Sequence, residues 1–131
     1  MLIPPGQMVC IWLIFISVNV SVPVLADDVT KYPILSPELN DGRTVWLGNC
    51  ETCHAYGTAG APNPRKPKQW EHRLKRPRLV LYQHAIEGFY GENDTYMPAR
   101  GGNPDLSDEQ VKTAVDYMLA LARFYMTQRK I

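Results

Sequence analysis

Sulfur and imidazole are scarce in this 131-residue sequence, which holds three cysteines (Cys10, Cys50, Cys53) and three histidines (His54, His72, His84). A structural zinc site needs a fourth ligand and usually a second closely spaced pair. His72 and His84 lie outside the usual spacing of such a pair, so a zinc fold is set aside. Strand-like alternation of any length is missing after the first 26 residues. A thioredoxin-like dithiol, which sits at a strand-to-helix junction, therefore finds no setting ahead of Cys50. No internal repeat is present, which sets aside repeat architectures.

Lys and Arg are absent ahead of the apolar run Met8 to Ile16, so the amino terminus alone supplies the positive charge that a secretory leader carries. The run is nevertheless followed by Val24-Leu25-Ala26, a small-residue cleavage signal. Ser17, Asn19, Ser21 and Pro23 interrupt its second half, leaving too little continuous apolar length to span about 30 Å of hydrocarbon. Residues 1–26 read as a signal peptide cleaved after Ala26, with an uncleaved membrane anchor as the alternative, and residues 27–131 as one domain. Cleavage removes Cys10, and a mature chain with no spare thiol suits an oxidising compartment.

The two remaining cysteines stand in Cys50-Glu51-Thr52-Cys53-His54. C-x-x-C-H is the pattern by which haem c is both attached and ligated. The two thiols add across the haem vinyl groups, and the histidine beside the second is placed to bind the iron. A domain of about 105 residues is marginal on core size, and one covalently held haem at its centre supplies the apolar surface it lacks.

Helical signals dominate the rest. Ser36-Pro37-Glu38 offers an N-cap with proline at the first helical position, Asn40-Asp41 offers a second start, and the helix runs to about Asn49. Gly42 and Trp46 share a face, which lets a neighbouring helix approach at the glycine and pack on the indole. Residues 55–68 read as loop, 69–75 as a short helix, and Pro77 opens a helix with Leu79, Tyr82 and Ile86 at helical spacing and Gly88 as its stop. Residues 89–104 form a long connection rich in Gly, Asn and Pro. Ser107 and Gln110 make a capping box, followed by Val111, Ala114, Val115, Met118, Leu119, Ala122 and Tyr125 along one face to about Met126. Three to four helices with long loops predict an all-α domain.

Taken together, Gly42, Trp46, Cys50, Cys53 and His54 resemble the signature of class I c-type cytochromes, and Gly57 to Pro62 resembles their haem-proximal loop. Trp70 and Arg73, the stretch Leu81 to Gly88 and the box Met97-Pro98-Ala99-Arg100-Gly101-Gly102 are more narrowly similar to the small bacterial cytochromes of the c-five type. The basic stretch Arg65 to Arg78 departs from that pattern. The resemblance implies a small class I cytochrome fold around one haem, with His54 as proximal and Met97 as distal ligand. Thioether ligation stabilises ferrous iron and raises the reduction potential, as an electron carrier requires. His84 and His72 are the rival distal ligands, whereas Met118 and Met126 fall on the last helix, where packing is the simpler role. The resemblance also implies that the Pro62 carbonyl accepts the Nδ1 proton of His54. Trp70 and Arg73 read either as partners of a haem propionate or as a plain surface helix.

The net charge of +1 conceals an uneven distribution. Arg65, Lys66, Lys68, Arg73, Lys75, Arg76 and Arg78, opposed only by Glu71, make that stretch +6 and the rest of the chain −5. Such a patch steers an acidic redox partner or an anionic membrane surface, or is a solvated face. Nucleic acid does not suit an exported haem protein. The sequence thus predicts a periplasmic mono-haem electron carrier, not an enzyme, that passes single electrons between a donor and an acceptor protein. A dedicated subunit of a larger oxidoreductase is the first rival, and a haem enzyme or gas sensor with an open iron site the second.

Overall fold

The computed structural model describes residues 31–128; the leader assigned to residues 1–26 lies outside them. The domain is all-α, with four α-helices and very little strand among the described residues. Helix α1 (Asn40–Asn49) continues from a 3-10 turn at Pro37–Leu39 and, after Cys50, passes into the single turn α2 (Glu51–His54). Pro37 supplies the fixed φ that favours a helical start, but the Ser36 side chain makes no capping bond. Helix α3 (Arg78–Glu87) follows Pro77 and stops at Gly88, and α4 (Asp108–Gln128) closes the fold. The capping box of α4 is formed as expected: Ser107 N–H donates to Gln110 Oε1 at 2.9 Å and Gln110 N–H to Ser107 Oγ at 3.2 Å.

The crossing of α1 and α4 is the centre of the core. A Cβ placed on Gly42 would lie 2.1 Å from the Thr113 carbonyl oxygen, so the two backbones touch there and only glycine fits. One turn on, Trp46 packs against Tyr117 with ring centroids 5.9 Å apart, and both are fully buried together with Leu121. Tyr32 joins the stack from the entering chain, 4.8 Å from Trp46. That entering segment is fastened to the far end of the fold: Tyr117 OH donates to Pro33 O at 3.1 Å and Tyr125 OH to Lys31 O at 2.5 Å. Arg43 Nε adds a bond to Tyr32 O at 2.6 Å.

Three local expectations are corrected. The short helix expected over 69–75 is instead two 3-10 turns, Pro67–Gln69 and Arg73–Lys75. Pro77 holds the preceding Arg76 in extended conformation, and Pro67 opens the stretch, so no room is left for α-helical propagation. Leu79 does not share the inward face of α3: it is 77% exposed, and Leu81, Tyr82, Ala85 and Ile86 make the core contacts. Within the long connection the chain forms an antiparallel pair, β1 (Phe89–Tyr90) and β2 (Tyr96–Met97), in the register Phe89 to Met97 and Tyr90 to Tyr96. Two residues per strand are too few for alternation to register in a sequence. No helix among the described residues is long and apolar enough to cross a membrane.

Candidate haem site

Cys50 sits at the junction of α1 and α2, its N–H bonded to Trp46 O at 2.8 Å, and Cys53 lies almost one turn further on. Both are half-buried and neither is in a disulfide. Burial, helped by the neighbouring Cys53, pushes the Cys50 thiol up to about 11. His54 ends the turn with only 6% of its surface exposed. Burial holds its pKa below the usual imidazole value; the Pro62 hydrogen bond opposes this in part and the Arg73 charge adds to it. Its Nδ1 lies 3.0 Å from the Pro62 carbonyl oxygen. A carbonyl can only accept, so Nδ1 carries the proton and Nε2 presents its lone pair.

Asn63 is a residue that motif reading missed. It is buried, its Nδ2 donates to Ala55 O at 2.5 Å, its own N–H donates to Gln69 Oε1 at 2.8 Å, and its Oδ1 accepts from Arg65 N–H at 2.8 Å. It therefore ties the loop carrying Pro62 to the turn that follows His54, and ties the basic stretch to both. The available signal was an amide flanked by two prolines, a position where backbone partners are short and a side chain must substitute.

Met97 comes from β2. Cys50, His54 and Met97 line one cleft together with Val45, Ala85 and Arg100, and most of its lining side chains are apolar. Met118 also reaches it from α4 but belongs to the buried core, as its place on the apolar stripe predicts. His72 is exposed, and neither it nor His84 borders the cleft. His84 instead stacks on Phe89, with centroids 4.0 Å apart and planes 19° from parallel.

Trp70 and Arg73 lie outside the cleft lining. The plain surface reading does not fit Trp70, which is 2% exposed with its indole Nε1 buried and without a hydrogen-bond partner. Arg73 is half-buried and bonded through Nη1 to Gln69 O. Burial, and then the nearby Arg76 charge, lower its pKa. A buried donor without an acceptor and, three residues on, a partly desolvated guanidinium are groups that a carboxylate such as a haem propionate would suit. Trp46 Nε1 is similarly unpartnered, but within the α1–α4 crossing.

A family model described as cytochrome c oxidase, cbb3-type, subunit III matches residues 37–118, from the turn before α1 into α4. A cytochrome c-555 of Prosthecochloris aestuarii is 42% identical over 94 residues, covering 70% of this chain and 95% of the relative. This chain belongs to the class I c-type cytochromes. A cytochrome c-555 of Chlorobaculum thiosulfatiphilum is 34% identical over 82 residues (63% of this chain, 94% of that protein). A cytochrome c-551 of Halorhodospira halochloris is 32% identical over 84 residues (61% and 96%). As a class I cytochrome, the chain carries one haem c attached through Cys50 and Cys53 and works as an electron carrier with redox partners.

Proposed function

We propose that this cytochrome is an exported, periplasmic carrier whose haem iron is held by His54 Nε2 and Met97 Sδ. The observation that carries the reading is the convergence of Cys50, His54 and Met97, from the α1–α2 segment and from β2, on one mostly apolar cleft. The Pro62 carbonyl orients the proximal ring and makes Nε2 more electron-rich. Trp70 and Arg73 are proposed to neutralise and hydrogen-bond a haem propionate. With His54 and Met97 both holding the iron, small molecules would be kept from it and single-electron exchange would be the chemistry the group supplies. Export rests on the leader at residues 1–26 and on the absence of a spare thiol after its removal. The experiment is exposure of the ferrous wild-type protein to carbon monoxide: its spectrum should not change, and ready binding would favour the enzyme or sensor reading.

The basic stretch is proposed as the docking face for an acidic redox partner. Lys66, Lys68, Lys75 and Arg76 are exposed, and the Asn63 bonds fix the stretch beside the haem-attachment turn. Arg78 is less suited to docking because it pairs with Asp116 at 3.4 Å. Lys66→Glu with Lys68→Glu should slow second-order electron transfer to such a partner by about tenfold at low salt, with the reduction potential unmoved. Raising ionic strength should produce a similar loss in the wild type. A rate independent of salt would reduce the stretch to a solvated face, and salt-sensitive binding to anionic vesicles alone would make it a membrane contact.

A second reading, permanent docking as a subunit of a larger oxidoreductase, draws on the description of the matching family model. The isolated chain would then purify with its enzyme and not as a monomer.

A further inference from the structure

Resting on the assignment of Met97 as distal ligand, we propose that His84 is a positioning residue for that ligand, acting through Phe89. Helix α3 stops at Gly88, whose φ of +89° and ψ of 165° are an extended positive-φ conformation that glycine adopts without strain. A Cβ there would lie 3.0 Å from Met97 O and 3.1 Å from Ala99 N, so the end of α3 abuts the backbone of the Met97 segment directly. The chain then enters β1 with Phe89, the direct cross-strand partner of Met97. Opposed residues of an antiparallel pair project to the same side of the ladder, about 5 Å apart. Tyr90 and Tyr96 take the other side: their rings pair at 4.6 Å and both are exposed. Phe89 and Met97 are each half-buried on the inner side.

His84, one turn back from Gly88 on α3, lays its ring nearly parallel on Phe89. A helix thus holds the ring of Phe89, whose strand is paired directly with the one carrying the sulfur. Ala85, the next residue of α3, faces the cleft while His84 does not, so the imidazole supports the ligand strand and stays away from the iron. A thioether is a neutral and weak ligand for ferric iron, so its retention depends on how firmly its strand is held.

The test compares full-length ferric holoprotein as wild type, His84→Ala, His84→Phe and Met97→Ala, following displacement of the thioether by added imidazole in stopped flow. The thioether-to-iron charge-transfer band and the thermal midpoint are recorded on the same samples. His84→Ala should accelerate displacement by roughly two- to tenfold, the range that loss of one aromatic pair allows. His84→Phe keeps a flat ring and should stay near the wild-type rate. A lowered thermal midpoint in His84→Ala with an unchanged displacement rate would overturn the proposal, leaving a structural residue only. Equal acceleration in the Ala and Phe variants would overturn it as well, because the imidazole nitrogens and not the ring contact would then matter. If Met97→Ala itself binds imidazole no faster than wild type, the ligand assignment beneath the proposal is what fails.

Discussion

Met97→Ala should convert a six-coordinate, low-spin haem into one that is high-spin and reactive toward carbon monoxide and peroxide. Among the described histidines only His54 borders the cleft, so no second imidazole stands ready to replace the lost sulfur. Loss of the thioether also removes its preference for ferrous iron. The reduction potential should fall by on the order of 100 mV, nearly two powers of ten in that preference at about 59 mV each for one electron. Optical spectra with and without carbon monoxide, together with a redox titration, read both effects. An unchanged spectrum would remove Met97 from the iron.

The second large effect falls on the fold. Gly42→Ala brings a methyl group to 2.1 Å from a backbone oxygen and 2.6 Å from the adjoining carbonyl carbon of Thr113, and neither can rotate away as a side chain would. Helices α1 and α4 must separate, loosening the contact of Trp46 with Tyr117 and Leu121. A cost of about 3 kcal/mol or more corresponds to a fall of about 12–24 °C in Tm for a domain of this size. Gly48, on the same helix and with nothing within 4 Å of its added Cβ, is the control. Gly48→Ala should be neutral or stabilising by up to about 1 kcal/mol. Calorimetry on the holoprotein compares the pair, and similar midpoints for the two variants would show that the crossing is more forgiving than its geometry implies.

Features carried by a residue and its near neighbours in sequence were legible in advance. The attachment motif needs five consecutive positions, the capping box four, and the stripe of α4 one repeating period, so each could be read without tertiary knowledge. The expectation that a neighbouring helix approaches at Gly42 and packs on Trp46 also holds, with Thr113 of α4 against the glycine and Tyr117 against the indole, because a glycine four residues before a tryptophan leaves a helix face with few uses. The misses come where tertiary contacts override local preference. Leu79 fits a helical period but stands in the first turn of α3, outside the packed face. The segment after Pro67 contains helix formers, yet it is shaped by its flanking prolines and by the burial of Trp70. Asn63 and the pairing of Phe89 with Met97 depend on partners that no short window contains.

The fastening of the entering chain to α4 sets an order of events in biogenesis. Tyr117 and Pro33 are 84 positions apart, and Tyr125 and Lys31 are 94 apart. A chain emerging from its amino end can bring Tyr32 onto Trp46 early, but the α4 side of their packing is missing until Tyr117 has appeared. Contacts of such separation form late and slowly, because the ends of a long loop must meet before anything rewards them. Throughout that interval the Cys50–His54 segment belongs to an unclosed chain, and its thiols are open to chemistry that the finished core would bury.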